Sequence, residues 1–246
     1  MHWESFFIPR EYIDGKTVSF PPEEVKHLSK VLRTKVGDAV WAVDGEGTAY
    51  RVQVTRVGRN QAEGEIVQTR RRLGEPVSQV TLAQAVLKGN RFNWLVEKTT
   101  EIGVCRIIPM LTEHTEKEVS PQKLARWRRL AIAAMKQSGR SLIPDITRPI
   151  PLRKVCSLGA GCRFRLIAEA TSESHPLQIQ KTSRRSTTRS KAILMVGPEG
   201  GFTKAEIIMA REHGYLSVNL GPRRLRSETA GLILSSLVLF HLQELR

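Results

Sequence analysis

The sequence predicts an α/β fold in which a mainly parallel sheet with flanking helices is preceded by a small β-rich module. Three observations support this prediction. Strand and helix patterns alternate along the second part of the chain, as they do when helices connect parallel strands. Short strands separated by turns fill the first part, which is typical of a small barrel. The charge also changes, since residues 1–69 hold 9 Lys/Arg and 10 Asp/Glu, whereas residues 70–246 hold 30 and 14.

The amino-terminal module is predicted from its turns and its periodicity. Residues 22–33 have apolar side chains at helical spacing after a proline pair. Strands at 40–43 and 50–54 flank the run Asp44-Gly45-Glu46-Gly47, which is a hairpin signal. The basic run 70–76 contains glycine and proline and is predicted as a linker. We therefore expect two domains, at residues 1–72 and 73–246.

The second part shows the alternation that a parallel sheet requires. Gly103 and Gly139 follow two of its helix patterns, and Ser120-Pro121 provides a cap and a first-turn proline for the longer helix. Residues 171–191 are polar and are predicted as a mobile connection. The predicted elements are a strand at 80–86, a helix at 93–102, strands at 104–111 and 164–168 on either side of a helix at 121–138, a strand at 192–196, a helix from 203, a strand at 216–220 and a helix near 227–229.

The composition is that of a folded, basic protein. Hydrophobic residues make up 40% of the 246 positions, and the formal net charge of +15 favours a polyanionic partner such as a nucleic acid. No apolar run approaches the ~18 residues of a membrane-spanning helix, and the first residues lack the layout of a signal peptide. The three cysteines and six histidines show no spacing typical of metal ligands. We expect a reduced, cytoplasmic protein without a metal or a membrane partner.

Basic residues lie along one side of the helix predicted at 121–138. Residues 120–165 contain 11 basic residues and one acidic residue, Asp145. Arg126, Arg129, Lys136 and Arg140 share one side of a helical wheel. A solvated face and a phosphate-facing stripe both explain this pattern, and the absence of interleaved acidic residues favours the stripe.

Two glycine-containing loops, each between a predicted strand and a predicted helix, indicate a ligand site. The first, Gly197-Pro198-Glu199-Gly200-Gly201-Phe202, precedes Thr203, which forms a capping-box pattern with Glu206. The second, Gly221-Pro222-Arg223-Arg224-Leu225-Arg226, carries three arginines. Such loops lie at the carboxyl edge of a parallel sheet, so we expect a pocket for a nucleotide-like ligand beside an anion. Neither a P-loop nor a G-x-G-x-x-G motif after a strand is present, and neither loop contains a cysteine nucleophile.

The two loops resemble the cofactor loops of the ribosomal small-subunit (16S) RNA uridine-N3 methyltransferases, which belong to the SPOUT class. The resemblance extends over nearly the whole chain. The matching segments are 197–203 and 220–230 for the loops, 27–33 with Gly37-Asp38 for the amino-terminal domain, 97–104 for a central stretch, and 126–127 with 137–140 for the long helix.

The resemblance implies a PUA-like amino-terminal domain, a carboxyl-terminal trefoil knot and a homodimer. It also implies that S-adenosylmethionine is the methyl donor and that N3 of one uridine in 16S rRNA is methylated. Three positions depart from the family pattern: Lys136 stands where Glu is usual, Arg224 where an aliphatic residue is common, and Ser227 where Thr is usual. Because serine keeps the hydroxyl, we expect the last change to be mild.

The expected contacts fall into two groups. The resemblance implies cofactor contacts at Ala168, Glu169, Val196, Gly197, Pro198, Glu199, Gly200, Gly201, Leu220, Gly221, Leu225, Arg226, Ser227, Glu228, Thr229 and Ala230. The charge pattern and the resemblance together predict RNA contacts at Lys30, Arg33, Arg70, Arg71, Arg72, Arg126, Arg129, Lys136 and Arg140.

A methyl transfer to N3 requires loss of the nitrogen's proton, and negative charge then spreads onto the neighbouring carbonyl oxygens. Arginine is too basic to remove that proton but stabilises the anion. We expect Arg226 to have this role, with Arg223 and Arg140 next, although phosphate binding or a contact with a helix end explains the same residues. Glu199 and Glu228 are candidate bases, and each equally fits a cap at a helix amino end.

Two other functions fit the same sequence. One keeps the fold and places the methyl group on a ribose 2′-oxygen of RNA. The other is a non-catalytic rRNA-binding assembly factor with a degenerate pocket, which the near-complete loop motifs disfavour. Nucleoside analysis distinguishes base from ribose methylation, and a cofactor-binding measurement distinguishes an enzyme from an assembly factor.

Overall fold

The computed structural model describes residues 5–31, 33–115, 118–169, 175–176 and 189–245. The chain divides into two compact units. The first unit contains Met1–Glu75 and Ile132–Ile143, and the second contains Pro76–Ala131 and Pro144–Arg246. The sequence pattern does not anticipate that 132–143 belong with the amino-terminal residues. The division into residues 1–72 and 73–246 stays a prediction.

A six-stranded sheet forms most of the first unit. Its strands are β1 (Phe6–Phe7), β2 (Ile13–Asp14), β3 (Thr17–Ser19), β4 (Ala39–Val43), β5 (Thr48–Val57) and β6 (Ala62–Arg71). They pair in the order β1-β4-β5-β6-β3-β2, with only β1 and β4 parallel. Helix α1 (Pro22–Lys26) continues as a π-helical turn at His27–Val31. The predicted helix and the predicted hairpin between β4 and β5 are therefore confirmed.

The core of the first unit follows the alternation of its strands. Val52 and Val54 of β5 are buried, whereas Gln53 between them is exposed. Leu28, from the π-helical turn, is also fully buried. Phe6 of β1 is buried in the same apolar core.

The prediction of a linker at 70–76 is wrong at its start. Arg70 and Arg71 continue β6 and pair with Ala49 and Thr48 of β5. The strand ends at Arg71, and the backbone then turns at Arg72, whose φ is 53°, and again at Gly74, whose φ is 70°. The pairing with β5 is a contact distant in sequence, so the local run of arginines followed by Gly and Pro does not reveal it.

The second unit contains a mainly parallel sheet with helices. Its strands are β7 (Gln79–Ala85), β8 (Arg106–Leu111), β9 (Asp145–Ile146), β10 (Ile150–Pro151), β11 (Phe164–Ala168), β12 (His175–Pro176), β13 (Lys191–Val196) and β14 (Leu216–Asn219). They pair in the order β10-β8-β7-β13-β11-β14-β12, and β9 pairs with β8. Every strand pairing in the described part of this sheet is parallel. The predicted fold class is confirmed.

Five helices follow α1 among the described residues. They are α2 (Arg91–Glu101), α3 (Pro121–Gln137), α4 (Leu152–Leu158), α5 (Lys204–Glu212) and α6 (Ser227–His241). The predicted elements agree with these bounds within a few residues, apart from α4 and the two-residue strands, which were not predicted. Most of the connection predicted at 171–191 lies outside the described residues. None of the helices in the described part is long and apolar enough to cross a membrane.

The middle strands of the second sheet are buried on both faces. In β13, every residue from Ala192 to Val196 is buried, and β7 is nearly as enclosed. Two-sided burial explains their continuous apolar runs. Gln84 of β7 is the exception, because its side chain is polar and fully buried.

Candidate functional site

Three neighbouring parallel strands end at one edge of the second sheet. β11 lies between β13 and β14, and its last residue, Ala168, pairs with Val196 and Val218. The segments that follow these strands therefore start side by side. We call residues 197–203 the first loop and residues 220–226 the second loop.

A cleft of about 1310 Å³ lies between the two loops. Most of the predicted cofactor residues line it, namely Ala168, Glu169, Val196, Gly197, Pro198, Glu199, Gly200, Gly201, Leu220, Gly221, Leu225, Arg226, Ser227 and Ala230. Glu228 and Thr229 are not among the lining residues. Glu228 lies buried in the first turn of α6, where a carboxylate complements the helix dipole. The expectation that these two residues contact the cofactor stays a prediction.

Seven further residues that line the cleft are neither predicted cofactor contacts nor predicted catalytic residues. They are Arg91, Phe202, Ile207, Val218, Asn219, Pro222 and Arg224. Most lie within or directly beside the loops, so the loop motifs could have predicted their place in the cleft. Arg91 comes instead from the start of α2, and its Nη1 lies 2.8 Å from Oε1 of Glu199. No local pattern in the sequence indicates that contact.

The first loop depends on small residues. Gly201 has a φ of 73°, and its N–H donates to the carbonyl of Pro198 at 2.9 Å. A Cβ on Gly200 would lie 3.3 Å from Nδ1 of His114, so a side chain there is crowded. The loop ends at Thr203, whose predicted capping box with Glu206 is confirmed. The capping box thus fixes the end of the loop at the start of the helix. Because its glycines have no side chains, a ligand can approach the loop backbone closely.

The second loop presents arginines to the cleft. Gly221 has a φ of 104°, which turns the chain after β14. Arg223, Arg224 and Arg226 all line the cleft and are exposed. Within the described part of the chain, no hydrogen bond or ion pair involves their side chains. These guanidinium groups are therefore available to an anionic ligand or substrate.

The carboxylates beside the cleft differ in their partners. Oε1 of Glu199 is held by Arg91 in an ion pair at the rim. Oε1 of Glu169 pairs with Nη2 of Arg211 at 2.9 Å, and its side chain is only 4% exposed. The other oxygen of Glu169, Oε2, is buried and accepts no hydrogen bond from the described residues. An ionised carboxylate oxygen without a donor is costly, so this atom fits a ligand that supplies one.

Beneath the loops, a buried polar contact joins three distant segments. Nε2 of Gln84 donates to Oγ of Ser227 at 2.8 Å and lies 3.5 Å from the carbonyl oxygen of Gly197. The Ser227 hydroxyl in turn donates to that carbonyl in a short hydrogen bond. The contact links β7 to the start of both the first loop and α6.

Two members of the predicted basic stripe are committed to ion pairs inside the first unit. The Arg140 side chain is 2% exposed and donates through Nη2 to Oε2 of Glu75 at 2.7 Å. Glu75 also accepts from the backbone N–H groups of Ser141 and Leu142. Lys136 pairs with the largely buried Glu24 at 2.5 Å. The prediction that Arg140 contacts phosphate or the reacting base is wrong because its guanidinium is buried and neutralised, and Lys136 is likewise already paired.

Other predicted RNA residues remain accessible. Arg126 and Arg129 are exposed on α3, and Arg33 is exposed with a φ of 50°. Nη1 of Arg71 donates to Oγ1 of Thr48, and Arg72 is exposed at the end of β6. The side chain of Lys30 lies outside the described part.

Arg70 belongs to a cluster that was not predicted. The guanidinium carbons of Arg70 and Arg51 each lie 5.6 Å from the ring centre of Trp41. Trp41 and Arg51 are directly opposite each other on β4 and β5, so their side chains share one face of the sheet. We call Trp41, Arg51 and Arg70 the arginine–tryptophan cluster.

The structure offers little support for metal or thiol chemistry. Among the residues with described positions, no group of three His, Cys, Asp or Glu side chains could hold a metal ion. Burial raises the pKa of the Cys156 thiol to about 11, which disfavours the nucleophilic thiolate. Neither Cys156 nor Cys162 lines the cleft.

Comparisons with known proteins match both parts of the chain. A family model described as an RNA methyltransferase domain matches residues 74–239, and one described as an RNA methyltransferase PUA domain matches residues 20–67. Ribosomal RNA small subunit methyltransferase E of Synechocystis sp. is 32% identical over 90% of this chain and 72% of its own length. The protein of that name from Bacillus subtilis is 26% identical over 95% of this chain and 93% of its own. A crystal structure of the Neisseria gonorrhoeae protein of that name, bound to S-adenosyl methionine, has a TM-score of 0.81 and 30% identity, covering 96% of this chain and 97% of the other.

Proposed function

We propose that this chain, which belongs to the RNA methyltransferase family, transfers a methyl group from S-adenosylmethionine to ribosomal RNA of the small subunit. The membership confirms the resemblance that the two loop motifs indicate. The observation that carries the proposal is the cleft, because both motifs meet there and 14 of the 16 predicted cofactor residues line it. The target atom, N3 of a uridine, is the finer part of the proposal and rests on the resemblance.

The cleft suits S-adenosylmethionine in chemistry. The bare backbone of Gly200 and Gly201 permits close approach by the ligand, and Val196 and Leu225 offer apolar surface. Oε2 of Glu169, buried without a donor, fits a hydroxyl or amino group of the cofactor. When bound, S-adenosylmethionine supplies an electrophilic methyl group on its sulfonium sulfur.

Residues of the second loop are assigned the chemistry at the uracil ring. Arg226 and Arg223 lie at the cleft without carboxylate partners in the described part, so their positive charge is not neutralised. We assign them the stabilisation of the uracil anion that forms when N3 loses its proton. Glu228 is buried outside the cleft lining, and Oε1 of Glu199 is occupied by Arg91, so neither is favoured as the base. Proton loss to solvent, aided by this positive charge, is the route that the residues support best.

The test is nucleoside mass spectrometry of small-subunit rRNA from a strain that lacks this gene. We expect N3-methyluridine to disappear and to return when the wild-type gene is supplied. Unchanged N3-methyluridine in the deletion strain would refute the target. Loss of a 2′-O-methylated nucleoside instead would favour ribose methylation, and unchanged rRNA together with an absence of cofactor binding would favour a non-catalytic assembly factor.

RNA contacts in the first unit are assigned to the arginine–tryptophan cluster. Arg51 and Arg70 have no ion pair among the described residues, and each guanidinium carbon lies 5.6 Å from the centre of the Trp41 ring. Two arginines beside one aromatic ring, with no carboxylate partner in the described part of the chain, suit a phosphate or an RNA base. This explains how a module with no excess of basic residues in positions 1–69 can still contact RNA.

We propose that the chain forms a homodimer. The resemblance implies this assembly together with a knotted carboxyl terminus. Helix α6 is apolar on several sides, with Leu237 39% and Phe240 65% exposed, and Trp94 of α2 is 40% exposed. Exposed apolar side chains on packed helices favour a partner surface. Light scattering of the purified protein is expected to give twice the 27.7 kDa chain mass, and a concentration-independent monomer would contradict it. We infer a cytoplasmic location, which suits a methyltransferase of ribosomal RNA whose three cysteines form no disulfide.

A further inference from the structure

Gln84 is an isolated amide in a buried strand. Its neighbours Leu82, Ala83 and Ala85 are fully buried and apolar, and Gln84 itself is fully buried. A buried amide is costly unless it is hydrogen-bonded. Its Nε2 has two acceptors within reach, Oγ of Ser227 at 2.8 Å and the carbonyl oxygen of Gly197 at 3.5 Å.

Helix α6 leaves space for this side chain. A Cβ on Gly231 would lie 2.5 Å from Oε1 of Gln84 and 3.0 Å from Cδ1 of Leu95. Glycine inside a helix is less stabilising than alanine, so this position sacrifices helix stability to admit the amide. Ser227 and Gly231 thus accommodate Gln84 in two different ways, one by accepting its hydrogen bond and the other by lacking a side chain.

The hydrogen bonds have a fixed direction. Because Nε2 of Gln84 donates to Oγ of Ser227, the Ser227 proton is left to point at the carbonyl of Gly197. Gly197 is the first residue of the first loop, and Ser227 begins α6 directly after the second loop. A single side chain from β7 therefore contacts the starts of both backbone segments, which are also joined directly by the Ser227 hydroxyl.

We propose that Gln84 is a positioning residue for the methyl donor, which acts through Ser227 to hold the two loops at the separation that cofactor binding requires. This inference rests on the proposed function of the cleft. Gln84 does not line the cleft, so it has no direct contact with a ligand there. Its effect is expected on cofactor affinity and not on RNA affinity.

The test is a double-mutant cycle on S-adenosylmethionine binding, measured by calorimetry with the full-length protein. Gln84→Met keeps the size of the side chain and removes the donor, and Ser227→Ala removes the relay hydroxyl. Each is expected to weaken binding about tenfold, which corresponds to one lost hydrogen bond. The double variant is expected to bind S-adenosylmethionine as tightly as the single variant of lower affinity, because both substitutions remove the same linkage.

The controls separate positioning from general stability. Ser235→Ala removes another buried hydroxyl of α6, one without a partner among the described residues, and is expected to leave affinity unchanged. Ser227→Thr keeps the hydroxyl and is expected to restore the affinity that Ser227→Ala loses, and Gln84→Leu, which also lacks the donor, replaces Gln84→Met in the cycle should that variant fail to fold. In the methylation assay, KM for the cofactor is expected to rise in Gln84→Met while KM for small subunits stays constant.

Three outcomes would overturn the inference. The first is unchanged affinity in Gln84→Met or Ser227→Ala, and the second is additive losses of about a hundredfold in the double variant. The third is equal losses in Ser227→Thr and Ser227→Ala. Absence of cofactor binding by the wild-type protein would instead refute the proposed function, and this inference with it.

Discussion

Arg226 and Arg140 carry the same guanidinium group in opposite surroundings. Arg226 is exposed, lines the cleft and has no ion pair within the described residues. Arg140 is buried and donates to the equally buried carboxylate of Glu75. A guanidinium without a carboxylate partner stabilises charge that develops on a substrate, whereas a neutralised one stabilises the fold. The two residues therefore predict different phenotypes.

Arg226→Ala is expected to lower kcat by about 10²–10³, the usual cost of removing one group that stabilises a developing anion. The Tm should be unchanged, because the side chain is exposed and unpaired in the described part. Steady-state methylation of small subunits measures the effect. Arg153→Ala, at an exposed arginine of α4 outside the cleft, is the matched control and should have wild-type kcat. Equal activity of both variants would remove Arg226 from the mechanism.

Arg140→Met is expected to lower the free energy of unfolding by about 3–5 kcal/mol, because the Glu75 carboxylate would remain buried without its counter-ion. Urea denaturation followed by circular dichroism measures this loss. Arg126→Met, at an exposed position of α3, should change stability by less than about 0.5 kcal/mol. A stable Arg140 variant that bound rRNA weakly would show that the arginine contacts RNA after all.

At the scale of elements, the parts with local signals were predictable. The capping box of Thr203 and Glu206 fixes the start of α5, and the apolar side of α3 gives Trp127 and Met135 as buried residues. The first loop, after β13, and the second loop, after β14, contain the two cofactor-loop motifs, and both line the cleft as expected. Each of these features depends on residues close together in sequence, which is why pattern and spacing identify them.

The features that escaped prediction all depend on distant contacts. Arg70 lies in β6 because that strand pairs with β5, although its local run resembles a linker. Arg140 lies on the basic side of a helical wheel, yet Glu75, 65 residues away in sequence, buries its charge. Gln84 is an unremarkable polar residue in sequence, and only the approach of Gly197 and Ser227 explains it. Tertiary packing decides such cases, and one sequence contains no direct record of it.

Gly200→Val is expected to abolish S-adenosylmethionine binding in calorimetry. Gly200 lines the cleft, and even a Cβ there lies within 3.3 Å of His114, so a branched side chain is forced toward the ligand space. The circular dichroism spectrum should be unchanged, since the residue belongs to a loop. Gly200→Ala, which adds only the Cβ, should weaken binding less. Full affinity in the valine variant would refute the placement of the cofactor at the first loop.

At the scale of the whole molecule, the basic excess is unevenly distributed along the chain. The chain carries a formal +15, and the surplus of Lys and Arg lies entirely in residues 70–246. Part of it is neutralised, as the Lys136 and Arg140 ion pairs show. The exposed remainder includes Arg126 and Arg129 of α3 and the arginines of the second loop. Binding to a polyanion then depends on the accessible arginines more than on the net charge.

The affinity for small-subunit rRNA is expected to fall steeply with salt. Neutralising Arg126 and Arg129 together should reduce the slope of log K against log salt concentration by about 1 for each arginine. Filter binding across a range of KCl concentrations measures this slope. Arg56→Ala, at a residue already paired with Glu63, is the control and should leave the slope unchanged. An identical slope in the Arg126/Arg129 double variant would exclude α3 from the RNA interface.

The most direct measurement is methyl transfer by the purified chain. Small subunits from a strain lacking this gene are incubated with the protein and S-adenosylmethionine labelled in its methyl group, and the rRNA is digested to nucleosides and analysed by mass spectrometry. We predict one labelled methyl group per subunit, recovered as N3-methyluridine, with Arg226→Ala slower by about 10²–10³. Label on a ribose, on another base or on no nucleoside at all would contradict the account.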